Sequence, residues 1–525
     1  MKFFKYIALG SMALSLGAGV SSCTGDLDVE PDDPNKQTTL TTPEEWYGYF
    51  QSLYGNLLYE GGLTPAGVDG GAGTWMRCHW NLQEITADEA IILNTWNDPG
   101  YADLKYNTWV SDNTWEFMAY QREATSIKLC SEFLSKVDGA KSAGVSEEMI
   151  EQMKAEARVL RAYCYYYMID LFGRGPWITN EPVGAEAPVY DRKQLFEAVT
   201  AELTDVINNG ALLDSKNQSY GRLSKQAAEM ILAKLYLNAE VYAGEAMYDK
   251  CAQWCQEIMK DTNVLADEYK YLFCATNDRY VGKGKEIIFA IPQDANHMQT
   301  YGGTTYLTAG AYFGVVPDEL KQELGAGGQE WGGLKMRPEL VDRLATYPGD
   351  KRNLIYAGEF SKELLDLADN TATGSGYMCI KYKYTGEDNY YNVGGDRDRA
   401  NVYCDTDYPV FRLADVYLML AECQKRGASN VTNGVELFNK VRERAGLAQL
   451  NASEVTLDEI LNERQRELYW EGHRRSDLIR FGKYTTGYTW SWKGGVPEGR
   501  DIDSHRTVFA IPYQYVGTIG QNTGY

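Results

Sequence analysis

The chain has few positively charged side chains and none of the common catalytic signatures. Its 525 residues include 51 Lys and Arg against 73 Asp and Glu, which gives a net charge of −22. Binding of nucleic acid phosphates requires a basic surface, so this balance excludes nucleic acid as a partner. The four histidines show no HExxH spacing, and the GxSxG, P-loop and GxGxxG patterns are absent. The composition therefore favours an uncharged ligand.

Paired cysteines are also missing. The sequence has 10 cysteines, one of which, Cys23, lies near the N-terminus. The other nine contain no CxxC pair, and Cys251 and Cys255 are one helical turn apart. This pattern predicts small buried side chains rather than a disulfide framework or a zinc site.

Aromatic residues are abundant, with 39 Tyr and 12 Trp. Such rings suit a sugar-binding surface, because a ring face packs on a pyranose while hydroxyl and indole N–H groups bond to sugar hydroxyls. The alternative is a tyrosine-rich helical core. In the densest run, Glu156–Trp177, apolar residues cover much of the helix circumference before Gly173 and Pro176. This run is therefore predicted to be an inner helix of a scaffold, with its tyrosines in the core.

The N-terminus resembles a bacterial lipoprotein signal. Lys2 and Lys5 precede an apolar run that is too short to span a bilayer, and small residues lead to Cys23. Residues 1–22 are predicted to be a signal peptide, and Cys23 is predicted to carry a lipid anchor. The alternative is an ordinary secretory signal with an incidental cysteine.

Helical periodicity dominates the rest of the chain, so the predicted fold class is mainly α. Helical hairpins of the tetratricopeptide type are predicted at 225–260 and 413–445. The scaffold is expected to cover about 40–260 and 409–485, with a long loop-rich insertion at about 261–408. Short strands are predicted there at 286–291 and 381–384, and one helix is predicted over 457–484.

Three glutamates at helical spacing provide the best case for an enzyme. Glu463, Glu467 and Glu471 would share one helix face and resemble the acid–base pair of a glycoside hydrolase. Because several arginines lie close by in the sequence, an ion-paired structural helix is the preferred interpretation. Asp405 and Asp407 form a DxD pattern that is a weak signal for Ca²⁺, with a turn as its default interpretation.

Two irregular regions combine aromatic rings with polar side chains. One is an N-terminal irregular region with Trp75, Arg77, Trp80, Trp96 and Asn97, and the other is the glycine-rich insertion with Tyr301, Tyr306 and Trp331. If folding brings these loops together, they form an aromatic arc with hydrogen-bonding groups, as neutral polysaccharide binding requires. The candidate contacts are Arg77, Trp96, Asn97, Tyr301, Tyr306 and Trp331.

Several motifs together resemble the SusD/RagB family of outer-membrane glycan-binding lipoproteins of Bacteroidetes. These motifs are the lipoprotein signal that ends at Cys23 and the segments 156–177, 221–224, 407–414 and 467–482. The resemblance implies a single domain over 23–525 with four tetratricopeptide-like units. It also implies a non-catalytic protein at the cell surface. Such a protein is lipid-anchored in the outer membrane, where it captures glycan and covers a SusC-type TonB-dependent transporter.

The resemblance also implies site residues. By motif, the glycan contacts fall on Arg77, Asn97, Tyr301 and Trp331. The family pattern has two tryptophans just before this asparagine, where this chain has Ile92 and Asn94, so only Trp96 is available. Asn94 and Tyr306 complete the predicted site, and the resemblance places possible Ca²⁺ ligands on Asp278, Asp405 and Asp407.

Starch-like α-glucan is the expected ligand. Its linkage or chain geometry stays open, because the aromatic arc of this chain differs from that of the family pattern. The alternatives are another neutral glycan, a host glycoprotein sugar, a glycoside hydrolase activity, and a structural transporter lid whose ligand contacts are dispensable.

Overall fold

Helices form most of the regular structure in the computed structural model. It describes residues 40–525 except 61, 63, 180–185, 313, 315, 326–329, 369–373 and 390–401. The described residues from Thr42 onward belong to one compact unit. The predicted signal peptide and the predicted lipidation site Cys23 lie outside the described residues, so both stay predictions.

The helices lie close to where periodicity predicts them. The side chains of Ser146 and Ser224 each cap a helix N-terminus by accepting a hydrogen bond from the backbone N–H of Met149 and Ala227, respectively. The α-helices are α1 (Pro43–Leu58), α2 (Trp75–Trp80), α3 (Tyr101–Tyr106), α4 (Thr114–Lys136), α5 (Glu147–Tyr167), α6 (Arg192–Asn209), α7 (Lys225–Leu237), α8 (Ala239–Ala243), α9 (Tyr248–Met259), α10 (Thr304–Ala311), α11 (Asp318–Leu324), α12 (Pro338–Leu344), α13 (Leu413–Lys425), α14 (Gly434–Arg444), α15 (Leu457–Leu468), α16 (Arg474–Arg480) and α17 (Tyr513–Ile519). Short π-helices follow α2 and α5, at Asn81–Ile85 and Met168–Phe172.

Pairs of packed helices build the scaffold. Helix α7 packs against α9 and α13 against α14, as the sequence predicts, and α4, α5 and α6 pack in succession. The mainly α fold with tetratricopeptide-type hairpins is therefore confirmed.

The described strands are short and pair two by two, all antiparallel. They are β1 (Ala90–Ile92), β2 (Arg174–Pro176), β3 (Val189–Asp191), β4 (Ile287–Ile291), β5 (Leu334–Met336), β6 (Ile355–Tyr356), β7 (Met378–Cys379) and β8 (Tyr408–Arg412). The pairs are β1 with β5, β2 with β3, β4 with β8, and β6 with β7. Strand β1 pairs Ala90 with Met336 and Ile92 with Leu334, which joins the N-terminal region to the insertion.

The tyrosines of α5 lie in the core, as predicted. Tyr163 is fully buried and packs against Trp75, Phe289 and Phe411 at centroid separations of 5.4, 6.1 and 5.8 Å. It thus connects α5 with the β4–β8 pair. Gly173 ends this segment with φ 67°, a left-handed conformation that glycine adopts without steric cost.

Two predicted elements are wrong. The helix predicted over 457–484 ends at Leu468 and restarts at Arg474, because Trp470 and Gly472 take left-handed conformations with φ 61° and 76°. Residues 381–384 form no strand, because backbone N–H groups there donate to different segments: Lys383 to Phe273 and Tyr384 to Leu324.

The three glutamates of the enzyme hypothesis belong to a buried ion-pair cluster. Glu463 and Glu467 bind Arg352 at 2.6 and 3.2 Å, and Glu471, beyond the end of α15, binds Arg412 at 2.7 Å. Burial alone would raise the pKa of Glu463, but the guanidinium groups of Arg352 and Arg466 outweigh it and lower the pKa to about 2. A general acid needs a raised pKa, so this cluster is structural.

Two further observations concern cysteines and membrane association. All nine cysteines in the described part of the chain are free and buried, as predicted.

Within the described ranges, no helix combines the length and the apolar character needed to cross a bilayer.

Candidate functional site

The two aromatic regions meet in one surface groove of about 650 Å³. Four chain segments form its walls, two from the N-terminal region and two from the insertion, so the predicted convergence of the loops is what the structure shows. The lining residues are Gly67, Val68, Asp69, Thr95, Trp96, Asn97, Asp98, Tyr301 and Trp331.

Three partly exposed rings form an arc in the groove. The Trp331 ring lies 6.2 Å from that of Trp96 and 5.7 Å from that of Tyr301, at interplanar angles of 58° and 66°. Tyr403 extends the arc, with its ring 5.1 Å from Tyr301. Rings tilted against each other can stack on successive units of a bent polymer. Sequence reasoning missed Tyr403, because it lies about 100 residues beyond Tyr301 with no motif to connect them.

Glycines determine where Trp96 lies. A methyl group added to Gly333 would fall 2.1 Å from the Trp96 indole, and one added to Gly310 would fall 3.2 Å from it. The indole therefore lies directly on the backbone of these two residues. The backbone N–H of Leu93 also donates to Gly333 at 2.9 Å, which holds the Trp96 loop against this segment.

A close backbone contact joins two walls of the groove. A methyl group on Gly71 would lie 2.5 Å from the amide nitrogen of Gly302, so only glycine permits this approach. The Thr74 hydroxyl donates to the Gly302 carbonyl at 2.8 Å. These contacts fix the loop of Tyr301 relative to the loop of Asp69.

Arg77 and Tyr306 lie beneath the groove rather than on its surface. Arg77 is 1% exposed and donates to Asp69 at 2.8 Å and to Tyr101 at 3.0 Å. Its guanidinium lies 4.3 Å from the ring of Tyr306, which is 0% exposed and donates to Asn81 at 2.7 Å. The prediction that these two side chains contact the glycan is corrected: both are buried and support the residues above them.

The support continues into the core as a column of rings. Trp80 lies 5.2 Å from Trp470 and 5.6 Å from Tyr306, and Tyr306 lies 6.0 Å from Trp96. Burial raises the pKa of Tyr306 well above its usual value, so the phenol stays neutral. Trp96 is therefore supported from below by rigid aromatic packing.

Polar groups of the groove are acidic or neutral. Asn97 is exposed, and Asp98 accepts a hydrogen bond from the backbone N–H of Asp69 at 3.0 Å. The basic side chain beneath the groove, Arg77, is buried and paired with Asp69. Such a surface accepts hydrogen bonds from sugar hydroxyls and repels anionic groups.

Asn94 lies apart from the groove lining. Its side chain is exposed and accepts a hydrogen bond from Lys105 Nζ, which also donates to the carbonyl of Ile92 at 3.1 Å. Asn94 is thus exposed two residues from Trp96 without lining the groove, and its contact with glycan stays a prediction.

The predicted calcium ligands do not form a cluster. Asp407 accepts a hydrogen bond from the backbone N–H of Gln293 at 2.7 Å, and Asp405 accepts one from that of Ala295 at 2.6 Å. Asp278 lies in a separate short helix, and the described residues contain no group of three or more His, Cys, Asp or Glu that could hold a metal. The residues as placed do not fit a calcium site, so calcium binding stays a prediction without a site.

Comparisons with known proteins show which proteins the chain resembles. The profile of the SusD family matches residues 365–504, and a profile described as "Starch-binding associating with outer membrane" matches 70–237. The starch-binding protein SusD of Bacteroides thetaiotaomicron is 29% identical over 100% of this chain and 99% of its own length. Two separate stretches of the chain thus match SusD-type profiles, and the chain is similar to SusD over its whole length.

Solved structures show the same fold. Surface glycan-binding protein A of B. thetaiotaomicron, in complex with laminarihexaose, superposes with a TM-score of 0.69 at 19% identity, over 92% of this chain and 100% of that one. A laminarin-binding SusD-like protein gives a TM-score of 0.66 at 20% identity, over 93% of this chain and 100% of that one. The profile matches, the similarity to SusD and the chemistry of the groove together support a glycan-binding role.

Proposed function

We propose that the groove captures a neutral glucan at the cell surface for uptake. The observation that carries the proposal is the arc of Trp96, Trp331 and Tyr301, which opens onto a groove without a free basic side chain among its lining residues. Stacking on these rings supplies affinity, and Asn97 and Asp98 orient the sugar hydroxyls. Glu463 is paired with Arg352 and has a lowered pKa, so it cannot serve as a general acid, which argues against hydrolysis.

Starch-like α-glucan is the first candidate ligand. The full-length relative SusD is a starch-binding protein, and the arc of tilted rings suits a curved chain. β-Glucan is the second candidate, because two structural neighbours bind laminarin or its hexasaccharide. Host glycoprotein sugar stays an alternative neutral ligand.

Affinity electrophoresis in native gels containing amylose, pullulan or laminarin separates the candidates. The proposal expects retardation by at least one glucan. It further expects that Trp96→Ala and Trp331→Ala abolish most of this retardation. A wild-type protein that none of the three retards would contradict the glucan proposal, and a glycan array would then identify any other neutral ligand.

The proposed setting is the outer surface of the outer membrane. The family description refers to association with the outer membrane. We propose that a lipid on Cys23 anchors the protein there and that it delivers glycan to a SusC-type TonB-dependent transporter. Two measurements test this: Cys23→Ala should release the protein from the membrane fraction, and the wild type should co-purify with such a transporter from detergent-solubilised membranes.

A further inference from the structure

A second aromatic pair lies next to the loop that carries Trp96. The rings of Tyr106, at the end of α3, and Trp492 are 5.8 Å apart at an angle of 42°, and both residues are partly exposed. The Trp492 indole N–H donates to the carbonyl of Leu364 at 2.9 Å, and the neighbouring Leu365 is 79% exposed. We call Tyr106 and Trp492 the outer ring pair.

The backbone at Trp492 is strained and firmly held. Its φ of 67° is left-handed, a conformation that is unfavourable for a bulky residue and typical of ligand-contacting positions. The preceding Ser491 donates to Glu339 from its backbone N–H and its hydroxyl, at 2.7 and 2.8 Å. Its carbonyl accepts a hydrogen bond from the buried side chain of Arg337. The surrounding structure therefore keeps this tryptophan at the surface in one orientation.

The outer ring pair rests on a rigid base. Beneath it lies a buried cluster formed by Ile91, Leu93, Leu364 and Leu367. Two of these residues belong to the segment that leads from β1 into the Trp96 loop, so the pair and the groove share one support. Apolar side chains of any kind could shield this cluster from water. Tyr106 and Trp492 do more than that, because part of each ring also faces solvent.

Asn94 connects the groove with the outer ring pair. Its exposed side chain bonds to Lys105 Nζ, which lies 5.2 Å from the centre of the Tyr106 ring. Trp96 follows two residues later, so its Cα lies at most about 7 Å from that of Asn94. Asn94 is thus a polar side chain close to both aromatic surfaces. A glucan chain could stack on the rings and form hydrogen bonds with this side chain.

The groove is too small to hold a whole polysaccharide chain. A volume of about 650 Å³ is that of a pocket for a small molecule, so a polysaccharide must continue beyond it. We propose that the outer ring pair is a second stacking subsite, which contacts units of the same glucan chain after it leaves the groove past Asn94. This inference rests on the proposed function and deepens it: the protein recognises a polymer rather than a short oligosaccharide.

The test compares polymer and trisaccharide binding by isothermal titration calorimetry. The probes are amylose and laminarin, with maltotriose and laminaritriose as their short counterparts. The variants are Trp492→Ala and Trp492→Leu, because leucine keeps the apolar cover over the buried cluster but removes the ring. The control is Tyr513→Ala, which removes a 63% exposed tyrosine from α17.

We expect Trp492→Leu to bind the polymer about threefold to tenfold more weakly and the trisaccharide with unchanged affinity. Unchanged polymer affinity in Trp492→Leu would overturn the subsite while leaving the groove proposal intact. Equal losses for polymer and trisaccharide would overturn it as well. If the wild type binds none of the four probes, the proposed function fails and the subsite with it.

Discussion

At the scale of single residues, the position of Trp96 depends on the absence of side chains beneath it. Gly333 and Gly310 let the indole lie on the backbone, and Tyr306 closes the space below. The sequence shows a tryptophan in a turn-rich loop, but the support comes from residues more than 200 positions away. The local sequence pattern therefore predicts that this loop carries a tryptophan ring, but it cannot predict how the ring is oriented.

Gly333→Ala tests this support. The added methyl group would lie 2.1 Å from the indole, so Trp96 must move, and we expect glucan affinity to fall at least severalfold. Overpacking should also cost about 1–3 kcal/mol of the free energy of unfolding. Calorimetric titration and urea denaturation measure the two effects.

Gly48→Ala is the matched control, because a methyl group there meets nothing within 4 Å. It should leave affinity unchanged. Equal affinity of Gly333→Ala and the wild type would show that the position of Trp96 is not important for binding.

Tyr163 illustrates the opposite role of an aromatic residue. Its ring is 0% exposed and joins α5 to the β4–β8 pair. Tyr163→Ala should lower the free energy of unfolding by about 3–5 kcal/mol, because it leaves a large cavity in the core. Thermal denaturation measures this, and titration of the protein that stays folded should give wild-type glucan affinity. A stable variant that no longer binds glucan would contradict the assignment of this residue to the core.

At the scale of elements, helices are predictable and their breaks are less so. Helices α7, α9, α13 and α14 lie within the predicted hairpins at 225–260 and 413–445, because their apolar periodicity is local. The break between α15 and α16 has a distant cause. Glu89 accepts a hydrogen bond from the backbone N–H of Trp470 at 2.9 Å and thereby holds the turn from the other end of the chain.

The same turn predicts a pH dependence. Glu84 accepts hydrogen bonds from the N–H groups of Gly472 and His473 at 2.6 and 3.0 Å. Burial raises the pKa of Glu84 to about 7, and burial together with the Glu84 charge raises the pKa of Glu89 well above its usual value. The folded state therefore binds more protons than the unfolded state above about pH 4.5.

Stability should consequently fall as the pH rises from about 4.5 through 7. Glu84→Gln keeps an acceptor for both N–H groups without the charge, and it should flatten this part of the profile. Urea denaturation across this range measures the effect. A variant profile as steep as that of the wild type would exclude the pair as its cause.

At the scale of the whole molecule, the groove exists only because the fold brings distant segments together. The resemblance to the family predicted Arg77, Asn97, Tyr301 and Trp331 as contacts, and the structure gathers the last three in the groove lining and places Arg77 beneath it. Composition alone indicated a sugar-binding surface but not its location. Burial depends on tertiary packing, so neither source could distinguish a ring in the groove from a ring beneath it.

The central claim is that the aromatic groove binds glucan. The most direct measurement is the calorimetric affinity of the wild type and Trp331→Ala for amylose and laminarin, with Tyr513→Ala as an exposed-tyrosine control. Because Trp331 is partly exposed, its loss should leave the melting temperature unchanged. The account predicts that Trp331→Ala loses about tenfold or more in affinity for the glucan that the wild type binds, while Tyr513→Ala loses none. A folded Trp331→Ala variant that binds this glucan as tightly as the wild type would contradict it.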